Sequence, residues 1–179
     1  MTPHTQPIQE ILNLDKPAGY SLECWIETEQ HRMIISHVRD YLFGHSAELW
    51  VYGAPGVGKT HLGLVIAERF EFGYYDCSDI RPEVAPELFE YLDVGCGLVL
   101  DRIDYWLCHF SSESALFSWW KRKTNGLVLI SETSPRADEF ITLPDLASRA
   151  HAAMILPLDG LDDDDIGRLF RCQLERLGI

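Results

Sequence analysis

A glycine-rich octapeptide is the strongest chemical signal in this sequence of 179 residues. It reads Gly-Ala-Pro-Gly-Val-Gly-Lys-Thr and fills every constrained position of the pattern G-x-x-x-x-G-K-[ST]. In such a loop, backbone N–H groups converge on the α- and β-phosphates of a nucleotide, and the positive end of the next helix supports them. The lysine would reach the β- and γ-phosphates, and the threonine hydroxyl would bind Mg²⁺. We therefore predict a nucleotide-binding loop made of Gly53, Ala54, Pro55, Gly56, Val57, Gly58, Lys59 and Thr60.

An aspartate at the end of a second apolar run supplies the other half of a metal site. The run Leu98-Val99-Leu100 ends in Asp101, and a carboxylate there would hold Mg²⁺ opposite Thr60, commonly through water. Proteins that hydrolyse the nucleotide usually carry a second acid at the next position, where it polarises the attacking water. Here that residue is Arg102, which cannot accept a proton, and Asp104 is a poorly spaced substitute. The sequence predicts binding of ATP or ADP with Mg²⁺ and leaves intrinsic hydrolysis open, as weak or absent.

Short apolar runs alternate with helical segments and would position these residues. Continuous apolar strands separated by helices are typical of a parallel sheet covered on both faces. The predicted architecture is therefore α/β, with three layers. Strands are expected at 49–52, 72–75, 98–100, 127–130 and 154–156, and helices at 27–43, 60–70, 86–92, 114–123 and 162–177. The aspartate run 162–165 is expected to cap the last helix.

The charge balance restricts the class of partner. The chain has 28 acidic and 15 basic residues, a net charge of −13 and a sequence pI of about 4.8. A stand-alone DNA-binding module needs Lys and Arg to neutralise phosphates, so direct DNA binding is expected to be weak or absent. Trp119 and Trp120 precede three basic residues and could stack on bases, but inward packing is the simpler interpretation.

The location of the protein is also open to a prediction. The N-terminus lacks the basic start and apolar run of a signal peptide, and no stretch has the roughly 20 apolar residues that cross a bilayer. The five cysteines are widely spaced and include no C-x-x-C pair, so buried thiols in a reducing cytosol are expected, with a catalytic cysteine as the alternative. We therefore predict a cytoplasmic protein without a membrane partner.

The segment from Gly53 to Leu62 resembles the AAA+ ATPases, and its Lys-Thr-His-Leu end resembles their DnaA branch. Leu143–Arg149 is similar to the corresponding stretch of the Hda-type regulators in that family, and Leu127–Arg136 resembles the strand and turn that precede it. The resemblance implies a P-loop NTPase core with a central parallel five-stranded sheet over 18–160, and the start of a truncated helical lid over 161–179.

The resemblance also implies roles for single residues. Ser131 would occupy the sensor position near the γ-phosphate, although a polar strand end explains it equally well. Arg149 would be an arginine finger that acts in trans on the nucleotide of a neighbouring subunit, or else an ordinary salt-bridged arginine. Tyr20–Ile26 would lie beside the adenine. In the tail 1–17, Gln6–Ile11 lies where such regulators carry a peptide that binds the sliding clamp, and a disordered tail is the alternative.

The resemblance implies a regulator of chromosomal replication initiation that acts by contact with DnaA. It leaves open two further partners, which are the sliding clamp and other copies of the same chain. One alternative is a degenerate interaction module or a helicase-loader-like protein without its own hydrolysis. A second alternative is an active enzyme, either an independent ATPase or a small P-loop kinase, which Arg102 disfavours.

Overall fold

One parallel sheet of five strands organises the computed structural model, which describes residues 25–43, 45, 47–137 and 140–177. The strands are β1 (Glu48–Tyr52), β2 (Gly73–Asp76), β3 (Leu98–Asp101), β4 (Leu127–Ser131) and β5 (Met154–Pro157). Their order across the sheet is β2-β3-β4-β1-β5, and every pairing is parallel. The carboxyl ends of all five strands therefore meet at one edge. The α/β fold class with a five-stranded parallel sheet is confirmed.

Helices connect the strands and cover both faces. They are α1 (Glu29–His37), α2 (Lys59–Phe70), α3 (Ala85–Tyr91), α4 (Phe110–Trp120), α5 (Pro144–Ala152) and α6 (Asp163–Leu177). A π-helical turn, Val38–Leu42, extends α1, and 3₁₀ turns follow β2 and β3. α5 was not predicted, and α4 begins and ends earlier than its apolar run suggested. The backbone N–H of Asp165 donates to Asp162 Oδ1 at 2.8 Å, so the aspartate run caps α6 as expected.

Alternate residues of the strands enter two separate cores. Leu127 and Leu129 of β4 belong to the core beneath α3, α4 and α5, while Val128 and Ile130 belong to the core beneath α1 and α2. This explains the continuous apolar runs of β1, β3 and β4, because neither face of these central strands meets water. Trp119 and Trp120 are fully buried in the first core. Burial of a tryptophan stabilises the fold by about 4–6 kcal/mol by area, and the base-stacking interpretation of this pair is wrong.

Two expectations drawn from composition have different outcomes. Among the described residues, no helix combines the length and the apolar character that a bilayer crossing needs. Cys77 is a buried thiol and Cys96 is an exposed one, whereas Cys172 is disulfide-bonded. The expectation of buried thiols is therefore confirmed for Cys77 and wrong for Cys96 and Cys172.

Candidate functional site

The glycine-rich loop joins the end of β1 to the start of α2, and its backbone requires glycine at three positions. Gly56 and Gly58 have φ values of +84° and +97°, in the left-handed region that side chains disfavour. Gly58 is also the N-cap of α2. A Cβ on Gly53 would lie 2.3 Å from the carbonyl oxygen of Leu158, so the two backbone segments touch there. The loop conformation thus depends on the glycines of the pattern.

The ammonium of Lys59 lies inside this loop. Its Nζ donates to the carbonyl oxygens of Gly53 at 2.6 Å and Ala54 at 2.8 Å, and the residue is only 8% exposed. Two carbonyl oxygens thus replace water around the cation. A phosphate oxygen can take over that role, because its negative charge attracts the ammonium more strongly than a neutral carbonyl oxygen does.

A cavity of about 310 Å³ opens beside the loop at the carboxyl edge of the sheet. Its walls bring together the predicted phosphate and metal residues, since they include Lys59, Thr60, Asp101 and Ser131. We call it the phosphate cavity. Arg102, Asp104 and Glu132 also line it.

Asp101 is fully buried and already accepts two hydrogen bonds. Its Oδ1 accepts from the backbone N–H of Arg102 at 2.8 Å, and its Oδ2 accepts from the Tyr74 hydroxyl at 2.8 Å. Burial and the charge of Asp101 raise the pKa of Tyr74, so the hydroxyl keeps its proton. Each carboxylate oxygen retains a lone-pair site. Asp101 and the Thr60 hydroxyl therefore fit a hydrated Mg²⁺, which prefers oxygen ligands and keeps several waters.

Arg102 points its guanidinium at the neighbouring strand. It forms an ion pair with Asp76, the last residue of β2, whose side chain is 2% exposed. The remaining oxygen of Asp76 accepts from the backbone N–H and the hydroxyl of Ser78 at 3.0 and 2.7 Å. Arg102 itself has a left-handed backbone with φ of +53°. The position where an acid would activate water is thus held by a cation with a buried partner.

Asp104 forms hydrogen bonds with the backbone that follows β4. Its carboxylate accepts from the backbone N–H of Glu132 at 3.0 and 3.1 Å and from that of Thr133 at 3.4 Å. Burial raises the pKa of Asp104, and these backbone donors oppose the shift. The carboxylate thus fixes the wall of the phosphate cavity.

Ser131, the residue predicted to be a sensor, lines the phosphate cavity. Its hydroxyl donates to the carbonyl oxygen of Thr133 at 2.6 Å and accepts from Trp50 Nε1 at 2.7 Å. The single hydroxyl proton is therefore already used within the protein. Donation to a phosphate would require that the bond to Thr133 break first.

Arg149 lies at the opposite edge of the sheet. Its Nη2 is 3.5 Å from Glu48 Oε1, and its guanidinium carbon is 5.6 Å from the centre of the Trp120 ring. Glu48 begins β1, whereas the glycine-rich loop follows Tyr52 at the other end, about 13 Å away at roughly 3.3 Å per residue. Arg149 is therefore not brought together with the loop of its own chain.

A second, smaller cavity of about 160 Å³ adjoins the glycine-rich loop. Its walls are mostly apolar and are formed by Trp25, Ile26, His31, Gly56, Val57, Gly58, His61, Leu161 and Leu169. We call it the base cavity. Trp25 and Ile26 end the segment expected beside the adenine, while its residues 20–24 and the tail 1–17 lie outside the described residues.

Sequence reasoning missed several of these wall residues. His61 directly follows Thr60, so its position was predictable. His31 occupies the third position of α1, where it takes part in a capping box with Thr28. Glutamate or glutamine usually fills that place, and this departure was the available signal. Leu161 and Leu169 come from beyond β5, and only tertiary packing brings them here.

Several solved structures with a similar fold are DNA replication initiation proteins. A DNA replication initiation factor matches with a TM-score of 0.71 and 17% identity over 90% of this chain. Domain III of the Thermotoga maritima replication initiation protein DnaA matches with a TM-score of 0.70 and 17% identity over 89% of this chain. The chain has the fold of a DnaA AAA+ domain. It spans 56% of the initiation factor and 75% of the Thermotoga domain.

Further solved structures share this fold at similarly low sequence identity. DnaA from Aquifex aeolicus, in a structure bound to AMPPCP, matches with a TM-score of 0.65 and 18% identity, over 89% of this chain and 56% of that one. Thermotoga maritima RuvB shares the fold with a TM-score of 0.60 and 18% identity, over 84% of this chain and 50% of RuvB. No protein-family model matches the chain. At these identities the similarity shows the fold.

Proposed function

We propose that the chain binds an adenine nucleotide at residues 53–60, with its phosphates in the phosphate cavity and its base in the base cavity. The observation that carries this proposal is the loop itself, with left-handed Gly56 and Gly58 and an internal Lys59 beside Asp101. Thr60 and Asp101 would hold Mg²⁺, which neutralises phosphate charge when it is bound. The AMPPCP bound to the Aquifex DnaA, a protein of the same fold, supports this assignment.

We further propose that the protein regulates replication initiation by contact with DnaA in the manner of Hda. The position of Arg149 supports action in trans, because this residue is remote from the loop of its own chain. A guanidinium supplied by a neighbouring subunit can neutralise charge in the transition state of phosphoryl transfer. The clamp-binding peptide at Gln6–Ile11 and homo-oligomers belong to the same proposal. The net charge of −13 supports protein partners over DNA.

The domain organisation belongs to this proposal as well. Residues 18–160 would be the nucleotide-binding core, and residues 161–179 would begin a helical lid. Leu161 and Leu169 support the lid, because both line the base cavity next to the loop. Closure over the nucleotide would bury apolar surface on the base.

A second candidate is an interaction module, or a helicase-loader-like protein, that binds a nucleotide without hydrolysing it. The Arg102–Asp76 ion pair favours this candidate, because it fills the place of the usual water-activating acid. Both candidates share the same nucleotide site. They differ in the partner and in what Arg149 does.

The test mixes the purified chain with purified DnaA and sliding clamp, in ATP and in ADP. The Hda-like proposal predicts co-purification with DnaA and faster ATP hydrolysis by DnaA, with little turnover by the chain alone. The matched control is Lys59→Ala, which should lose nucleotide affinity and with it the nucleotide-dependent contact. Binding of the nucleotide without any effect on DnaA contradicts the regulator and leaves the interaction module.

A further inference from the structure

Cys172, in the last helix α6, is disulfide-bonded. Its partner is none of the other described cysteines, which are Cys77, Cys96 and Cys108. The remaining cysteine of the sequence is Cys24, which lies outside the described residues. Where the surroundings keep thiols reduced, as the sequence predicts here, a disulfide is usually transient and serves catalysis or redox sensing. Cys172 is therefore a candidate site of thiol–disulfide exchange.

Residues close to both cysteines in the sequence line the base cavity. Trp25 directly follows Cys24, and Leu169 precedes Cys172 by about one turn of α6. Trp25 belongs to the segment before α1, so the wall of the base cavity combines two parts of the chain that are far apart in sequence. A covalent bond between the two cysteines ties these two parts of the wall together.

Apolar packing alone attaches α6 only weakly to the rest of the fold. Its large apolar side chains Ile166, Phe170 and Leu174 are 40%, 62% and 42% exposed. Side chains that stay in water contribute little of the hydrophobic free energy that holds a helix to a core. Segments of this kind open locally at a low cost in free energy. Without a covalent bond, we expect α6 to leave the base cavity much more readily than the helices on the sheet unfold.

We propose that Cys24 and Cys172 form a reversible disulfide that fastens α6 at the base cavity and slows the release of a bound nucleotide. In the oxidised chain, the bond keeps Leu169 at the cavity wall. In the reduced chain, α6 opens and the nucleotide exchanges with the solution. This inference rests on the proposed nucleotide site and adds a redox control of nucleotide exchange.

The bond forms by exchange with a low-molecular-weight disulfide of the glutathione type. The thiolate of one cysteine attacks that disulfide, which forms a mixed disulfide and releases one small thiolate. The thiolate of the other cysteine then attacks the mixed disulfide and releases the second small thiolate. The protein thus loses two electrons and two protons, and the small disulfide is reduced to two thiols. Cys172 is half-buried, so a small reagent in solution can approach its sulfur.

The test compares the full chain after oxidation with glutathione disulfide and after reduction with dithiothreitol. Mass spectrometry of a non-reducing digest identifies the cysteine that is bonded to Cys172. Release of a fluorescent ADP analogue is followed after addition of excess unlabelled ADP. Cys24→Ser and Cys172→Ser each remove the bond, and Cys96→Ser is the matched control, because Cys96 is an exposed thiol outside the bond.

The oxidised wild-type chain should release the ADP analogue at least about 5-fold more slowly than the reduced chain, because α6 has to open first. Cys96→Ser should show the same difference, whereas Cys24→Ser and Cys172→Ser should release the analogue rapidly under both conditions. The backbone amides of α6 should also exchange hydrogen more slowly in the oxidised chain without nucleotide. Reduction of the wild-type chain needs no substitution, so this comparison stands even if a variant does not fold.

Two results would overturn the inference. In the first, Cys172 is bonded to a cysteine other than Cys24 or to a second chain. In the second, the oxidised and reduced wild-type chains release the analogue at the same rate. Failure of ADP to bind in either state is a different result, which contradicts the proposed nucleotide site itself. Hydrogen exchange in α6 then still decides whether the bond fastens the helix.

Discussion

Replacement of Arg149 by alanine should abolish the proposed stimulation of DnaA while it leaves the stability of the fold almost unchanged. The substitution removes a partly exposed contact of 3.5 Å to Glu48 and the stacking on Trp120. An exposed ion pair contributes about 0.2–1 kcal/mol and a cation–π contact about 0.5–1 kcal/mol, so a loss of about 1 kcal/mol is expected. Glu48 keeps Trp120 Nε1 at 2.7 Å and Lys123 Nζ at 3.1 Å. No buried carboxylate is therefore left without a donor.

The effect on a partner should be far larger. An arginine finger contributes about 10³–10⁵ to kcat, so Arg149→Ala should abolish stimulation of DnaA ATP hydrolysis. ADP affinity should stay within about twofold, since Arg149 lies far from the loop of its own chain. The assay measures phosphate release by DnaA with increasing amounts of each variant. Arg122→Ala is the matched control, because Arg122 is exposed and its Nε donates to the Ser118 carbonyl oxygen of the same helix at 3.2 Å.

The reasoning is refuted if Arg149→Ala stimulates DnaA as the wild-type chain does. It is equally refuted if Arg122→Ala loses the same activity. Loss of ADP affinity in Arg149→Ala would show that the residue serves its own nucleotide site.

Three further predictions concern the fold around the nucleotide site. Gly53→Ala should destabilise the chain by about 1–3 kcal/mol, because its Cβ would lie 2.3 Å from the Leu158 carbonyl oxygen; an unchanged melting temperature contradicts this close contact. Arg102→Ala should cost about 2–3 kcal/mol in urea unfolding, below the full cost of breaking a buried pair because Arg102 is 39% exposed. Arg102→Ala/Asp76→Asn should recover most of that loss, and no recovery contradicts the ion pair. Burial lowers the pKa of His31, so the unfolded chain binds more protons than the folded chain below about pH 6.5. The free energy of unfolding should therefore have its full value above that pH and fall as the solution is acidified. In His31→Gln, the free energy of unfolding should change less between pH 8 and 5. Identical pH profiles of the two proteins contradict a lowered pKa of His31 in the folded chain.

β1, β3 and β4 were predictable because they are buried on both faces. Such strands are continuous apolar runs, and the turn or polar residue at each end marks where they stop. α5 escaped prediction for the opposite reason. Only Leu146 and Ala150 of this nine-residue helix are buried, and its N-cap, Leu143, provides no side-chain hydrogen bond. The local signals were Pro144 at the first helical position, Asp145 in the first turn, and Arg149 and His151 in the last turn.

The site was predictable where it is local in sequence. The conformation of residues 53–60 depends on glycines within the segment itself, and Asp101 directly follows a predicted strand. The ion pair of Arg102 was hidden, because it depends on the register that sets Asp76 of β2 beside Asp101 of β3. The hydrogen bond from Tyr74 to Asp101 depends on the same pairing of strands. The sequence of a single segment does not predict which strands are neighbours in the sheet.

Calorimetric titration of ADP with Mg²⁺ into the folded chain tests the central claim most directly. The account predicts saturable binding of one nucleotide and a higher melting temperature with ADP. Lys59→Ala should lose both effects, because its ammonium is the cation inside the loop. The account is contradicted if the folded wild-type chain shows neither heat nor a shift in melting, or if Lys59→Ala binds ADP as tightly as the wild-type chain.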